Sequence, residues 1–179
     1  MTKTAELYGG SLYDLAVEEN AAAAMMEELD GIRKIFRENP DYIRLLSEPS
    51  IPRAERISLI DQAFDGQVHP YVNSFLKVLC REGLMRELMG CIEQFRSRFY
   101  KDQNIAEAVV TSAVPLSEKQ ISALQAKLEK MSGKTILLQQ KVDAKVIGGL
   151  KVEVDGMQLD GTLENRISTV RRKVTEIIL

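Results

Sequence analysis

Few side chains in this 179-residue chain are suited to chemistry, and their spacing argues against most of it. His69 is the single histidine and stands immediately before Pro70. Acid–base or metal work needs partners at compatible geometry, and the sequence offers no second histidine and no paired cysteines at ligand spacing. A surface or helix-capping role suits His69 better. Cys80 and Cys91 are the two cysteines. They read as small buried helix residues in a reducing compartment rather than as a disulfide. The carboxylates fall at solvent-facing helix positions, as in Glu18-Glu19 and Glu27-Glu28, where solvation explains them more simply than acid–base pairing. Gly148-Gly149 invites comparison with a phosphate loop. Such a loop needs Gly-Lys-Ser/Thr after a strand and opening a helix, whereas these glycines open a strand. An RNA-binding Gly-x-x-Gly loop fails as well, because Lys151 stands three residues after Gly148. No catalytic residue, metal ligand or cofactor-binding residue is assigned.

Composition narrows the class without naming it. The formal net charge is −2, so nothing draws the whole molecule to nucleic acid or to an anionic membrane. An apolar share of 45% is enough to build a core, and the length allows one domain or two small ones. No run of about 18 apolar residues exists to span a bilayer. The start, Met1 to Glu6, lacks an apolar signal core, and Glu6, Asp14, Glu18 and Glu19 argue against a transit peptide. A bacterial cytoplasmic protein is the expectation.

The elements fall into two halves. In the first, Tyr8, Leu12, Leu15 and Ala16 mark a helix over about Thr4 to Glu19. Gly9-Gly10 inside it costs about 1 kcal/mol per glycine relative to Ala. Either the helix begins after them, at Ser11, or the small residues let another helix approach closely. Met25, Leu29, Ile32 and Phe36 share a second helical face, which Asn39-Pro40 ends. A short turn at Ile43, Leu45 and Leu46 stops at Pro49. Pro52 suits the first turn of the next helix, with Ile57, Ile60 and Phe64 inward and Gly66 closing it. Pro70 opens a helix carrying Phe75, Leu76 and Leu79 and stopping at Gly83, and Leu88, Ile92, Phe95 and Phe99 form a last long one. Five or six helices with short connections make an antiparallel bundle.

After about Gln103 the period changes. Ile105 to Val114 reads as a strand, and Leu116-Ser117-Glu118-Lys119-Gln120-Ile121 as a capped helix start with Ser117 capping, Gln120 reaching back and Leu116 stapled on Ile121. Leu124, Leu128 and Met131 continue that face to Gly133. Ile136, Leu138 and Val142 alternate as a second strand. Leu150–Val154 and Met157–Leu159 flank an Asp155-Gly156 hairpin turn. The adjacent Gly148 and Gly149 call for positive φ or close approach. A final helix carries Leu163, Ile167, Val170, Val174 and Ile177. Its Arg166, Arg171, Arg172 and Lys173 read most simply as a solvated basic face near a helix C-terminus, and otherwise as a docking surface for an acidic partner. The expected fold class is α+β: an all-α N-terminal bundle over residues 1–104, then a small α/β domain with a mixed sheet over 105–179.

The run Val142-Asp143-Ala144-Lys145-Val146-Ile147-Gly148-Gly149-Leu150-Lys151-Val152-Glu153-Val154-Asp155-Gly156 resembles the signature of the delta subunit of F-type ATP synthases, the oligomycin-sensitivity-conferring protein family. Tyr8 to Ala16 is similar to that family's opening motif, with Gly9 and Gly10 departing from its usual Tyr-Ala-Leu. Ser47 to Ile51, Asn73 to Leu79 with Glu82-Gly83, Thr111 to Ser117, and Asp160-Gly161-Thr162 follow in the family's order. The resemblance implies a non-catalytic stator without cofactor. It implies a bundle of six helices on the catalytic head, gripping the N-terminal segments of the alpha subunits through its first and fifth helices. Tyr8, Leu12, Leu15, Phe75 and Leu79 are then the residues that line or support that contact. It also implies that the C-terminal domain binds the b subunits of the peripheral stalk, with Gly148, Gly149, Asp160 and Gly161 binding or structural there. Membrane association would come only through the complex, at the cytoplasmic face of the cell membrane. The competing classes are a helical adaptor unrelated to the synthase and an enzyme with an unrecognised site.

Overall fold

A computed structural model of the chain describes residues 2–154 and 156–161. Cα packing divides the chain into two compact units, Met1–Asp102 and Gln103–Leu179. The described residues form seven α-helices and one four-stranded mixed sheet.

In the first unit, prolines and caps set the helix limits. Helix α1 (Lys3–Glu18) starts where the Thr2 hydroxyl accepts from the Ala5 amide at 3.2 Å. Helix α2 (Ala22–Glu38) buries the expected stripe of Met25, Leu29, Ile32 and Phe36, with Met26 beside it. Pro40 ends α2 and opens α3 (Pro40–Leu46), since the proline ring fixes φ and needs no amide partner in a first turn. Pro52 is the N-cap of α4 (Arg53–Phe64) rather than a residue of its first turn. Helix α5 (Pro70–Arg81) has Pro70 at its start, and Gly83 at φ +72° follows its end. An unforeseen 3-10 turn, Met85–Glu87, leads into α6 (Leu88–Asp102).

The core of this unit is continuous. Phe95 is fully buried and meets Tyr13 edge-on, with centroids 5.2 Å apart. Phe36 stacks on Phe64 at 6.1 Å. Arg56, four residues before Ile60 and on the same buried face of α4, donates from its Nη1 to the Leu46 carbonyl at 3.0 Å and from its Nε to that of Ile51 at 3.1 Å. It thereby satisfies the last carbonyl of α3 and one in the loop that follows.

The glycine pair of α1 is resolved in favour of close approach. The helix runs through both residues. A Cβ at Gly9 would collide with the Cys91 carbonyl oxygen of α6, and one at Gly10 would come within 2.9 Å of the Arg98 guanidinium. Gly90 of α6 faces Ala5 in the same seam, where an added Cβ would lie 2.9 Å from the alanine methyl.

The second unit opens with β1 (Ile105–Ser112), which stops short of Val114. Helix α7 (Glu118–Ser132) begins with the full reciprocal capping box of Ser117 and Gln120 and ends at Gly133, φ +68°. It crosses over to β2 (Thr135–Val142), parallel to β1, with Ala106 opposite Ile136 and Ala108 opposite Leu138. Strands β3 (Leu150–Val154) and β4 (Met157–Asp160) form the expected antiparallel hairpin, and β3 pairs antiparallel with β1. The sheet order is β2-β1-β3-β4. Ala106, Ala108, Val110, Ile136, Val152 and Val154 build a core with Leu128 of α7. Two expected inward residues are exposed instead: Val142, at the end of an edge strand, and Met131, near the C-terminal end of α7. The expected final helix and its basic residues lie outside the described residues.

Candidate functional site

The side chains considered for chemistry turn out to be structural. The His69 Nδ1 caps α5 by accepting from the Tyr71 amide at 3.3 Å. Cys80 and Cys91 are buried and free. Burial pushes the Cys91 thiol up to about 11, and raises that of Cys80, so neither is a thiolate at neutral pH. Among the described residues no three His, Cys, Asp or Glu side chains could share a metal ion. A cleft of about 360 Å³ lies along α2 between Asp30, Arg33, Lys34, Arg37 and Glu38. Arg33 pairs with Glu93 at 2.6 Å and Asp30 with Arg96, so two of its five charged residues are engaged in ion pairs between α2 and α6.

A different surface gathers most of the first group of predicted residues. Tyr8, Ser11, Leu12 and Leu15 of α1 face Tyr71, Ser74, Phe75 and Val78 of α5 across a groove of about 230 Å³. Each helix contributes positions i, i+3, i+4 and i+7, because positions three and four apart share a helical face. Leu12 and Phe75 form its nearly buried floor, while Tyr8 and Leu15 are half-buried and Val78 is exposed. Leu79 does not line it: its side chain is fully buried in the core below. Val78, next to it in sequence, takes the groove position. The Tyr71 hydroxyl donates to the Glu19 carboxylate at 3.0 Å, and that carboxylate, with a smaller contribution from Glu18, raises the phenol above its ordinary range.

The second group meets at one end of the sheet. Gly148 and Gly149 have φ +69° and +86°, so of positive φ and close approach the first holds at both. They lead into Leu150, whose carbonyl accepts from the Gly161 amide at 2.9 Å. A Cβ on Gly161 would lie 3.2 Å from that same oxygen. Asp160 pairs in register with Lys151. A neighbouring apolar strip escaped the sequence reading. Leu128, Met131, Val154, Met157 and Leu159 surround a cavity of about 170 Å³, with Met157 71% and Leu159 50% exposed. The signal was available: Met157 and Leu159 stand opposite core residues Val154 and Val152 and so share the sheet face on which α7 packs, on a strand at the sheet's edge.

An all-helical unit with an apolar interhelical groove, followed by a small mixed-sheet unit with its own open apolar strip, is the build of a connector. The family model for the ATP synthase delta (OSCP) subunit matches residues 4–174, and the chain belongs to that family. The ATP synthase subunit delta of Alkaliphilus oremlandii is 32% identical over 172 residues, covering 96% of each chain. That of Lactiplantibacillus plantarum is 31% identical over 169 residues, covering 94% of this chain and 93% of the relative. A chain of the Toxoplasma gondii mitochondrial ATP synthase hexamer has the same fold, with a TM-score of 0.74 at 12% identity over 97% of this chain and 98% of its own. The protein is a structural, non-catalytic subunit of the F-type ATP synthase and a component of its peripheral stalk. An adaptor unrelated to the synthase is not favoured. No helix among the described residues is long and apolar enough to cross a membrane.

Proposed function

We propose that residues 1–104 act as one six-helix bundle on the catalytic head, taking the N-terminal helical segments of the alpha subunits in the α1–α5 groove. Residues 105–179 then hold the C-terminal end of the b subunits. The chain ties the head to the membrane-anchored stalk at the cytoplasmic face of the bacterial membrane, so the head does not turn with the rotor during ATP synthesis. The work is mechanical: both contacts must dissociate slowly, and a nanomolar contact corresponds to about −12 kcal/mol. The observation that carries the reading is the groove itself, an apolar trough about two turns long on a packed core, the shape that receives an amphipathic helix. The apolar strip beside α7 supports a second contact in the other unit.

The test is titration of the full chain with a peptide copying the alpha subunit N-terminus. Micromolar or tighter binding is expected, with at least a tenfold loss in Val78→Asp, an exposed site whose change leaves the core intact. Absence of binding to the unaltered chain sinks the assignment. Gly149→Asp, which strains a residue at φ +86°, is expected to weaken binding to b subunits and leave the alpha peptide affinity nearly unchanged. Equal loss at both ends would mean that the two contacts are not separable. Equilibrium dialysis with ATP and magnesium is expected to show no stoichiometric nucleotide binding.

A further inference from the structure

Helix α1 ends against its own electrostatics. Glu18 is its last residue and Glu19 its C-cap, and no basic residue stands in the last turn. Carboxylates at a helix C-terminus oppose the macrodipole, where Lys or Arg would be favoured. Local rules broken in this way tend to mark a function. Among the described residues neither carboxylate is in an ion pair. Two charges that border the groove helices are compensated: Asp14 of α1 pairs with Arg98 at 2.7 Å, and Lys77 of α5 pairs with Asp61. The position of the two glutamates is specific as well. Glu19 accepts from the hydroxyl of Tyr71, which lines the groove, so the acidic end of α1 borders one mouth of the groove. Glu28 adds a third carboxylate at that mouth, accepting from the His69 amide at the start of α5 at 2.8 Å.

We propose that Glu18 and Glu19 select and orient the helix that docks in the α1–α5 groove by pairing with a Lys or Arg on it. The cation sits one turn beyond the occupant's apolar stripe, because Glu18 and Glu19 lie one turn beyond Leu15 on α1. The apolar floor supplies most of the affinity, and the carboxylates fix which end of the bound helix lies at the Tyr71 mouth. This rests on the groove being the site of the alpha segment, and it adds the chemistry by which one orientation is chosen.

The experiment uses the full chain and the same alpha N-terminal peptide, with each Lys or Arg of the peptide replaced in turn by Gln. One replacement, next to the apolar stripe, is expected to weaken binding about three- to tenfold at low salt, the range of two exposed ion pairs, and less at high salt. The Glu18→Gln/Glu19→Gln double variant is expected to lose the same factor for the unaltered peptide and none for the Gln peptide. Its melting temperature should be unchanged or higher, since Gln relieves the clash with the helix dipole and still accepts from Tyr71. A nitroxide on the cationic end of the peptide should broaden the amide signals of residues 17–20 rather than those of Lys3 to Leu7. Tight binding that is indifferent to every charge replacement overturns this inference and leaves the groove assignment standing. Failure of the unaltered peptide to bind removes the groove assignment, and this inference with it.

Discussion

The helical unit and the sheet unit both leave apolar surface open, but on foundations of different depth. In the helical unit 22 buried apolar residues form one cluster, including Phe36, Phe64, Phe75 and Phe95, and the groove is cut into the surface of that cluster. The sheet unit has seven among its described residues, none aromatic, and its open strip is continuous with that small core. The first surface is therefore a trough in a rigid body that stays formed when empty. The second is a core face that α7 only partly covers, and whatever lies on it becomes part of the domain's own packing. On the proposed reading, in which each unit holds one partner, the two surfaces follow different physical strategies: a preformed site and a site whose occupant adds stability by mass action.

The sharpest way to break this contrast is through the cores. Phe95→Ala removes a fully buried ring and its edge-on contact with Tyr13, and is expected to cost the helical unit about 3–5 kcal/mol. Leu128→Ala, beside the open strip of the sheet unit, is expected to cost about 2 kcal/mol, because the site can relax into the adjoining cavity. Urea unfolding followed separately in each unit measures both. Equal losses would mean that the sheet unit is as tightly packed as the helical one.

A smaller effect separates seam from surface within the helical unit. Gly9→Ala gains helix propensity but drives a methyl into the Cys91 carbonyl, a backbone atom that cannot turn aside. The net expectation is a loss of about 1–3 kcal/mol. Gly31→Ala, in the middle of α2 with nothing within 4 Å of the added methyl, should stabilise by about 0.5–1 kcal/mol. The same chemical change thus has opposite signs, and thermal melts of the two variants decide it.

The third contrast is alkaline. Burial, and then the hydrogen bond from the Tyr13 hydroxyl to Asp102 at 2.8 Å, push the Tyr13 phenol from 10.0 up to about 12. Burial likewise pushes the Cys91 thiol from 9.0 to about 11. Both are neutral acids whose folded-state values are raised, so the native unit holds protons that the unfolded chain releases. Their stabilisation is complete below about pH 9 and is lost progressively as pH rises towards 12. Stability of the helical unit should fall over that window, and Tyr13→Phe should flatten the upper part of the fall. A pH-independent melting temperature from 9 to 11 would contradict the burial of both groups.

Much of this architecture is local and therefore legible in the chain. Pro40 and Pro70 set helix starts because a ring without an N–H fits only a first turn. Ser117 and Gln120 close their capping box within four residues, and the glycines at 148 and 149 announce positive φ because other residues resist it. The stripes of α2 and α6 name their own core, and the order of motifs across both halves carried the family. Tertiary structure decided what depends on a partner distant in sequence. Gly9 is legible as a packing residue only once Cys91 stands opposite it. Leu79 and Val78 are equivalent by type, and the face that α5 turns to the core sends one inward and the other to the groove. Arg56 falls on the buried face of α4 with Ile60 and Phe64, and only the fold supplies the carbonyls of Leu46 and Ile51 that let a charge sit there. Glu18 and Glu19 read as an ordinary solvated pair until Tyr71, half a domain away in sequence, brings the groove to them. Helical period fixes which residues share a face, but the identity of the surface opposite that face is set by chain contacts that no local pattern encodes.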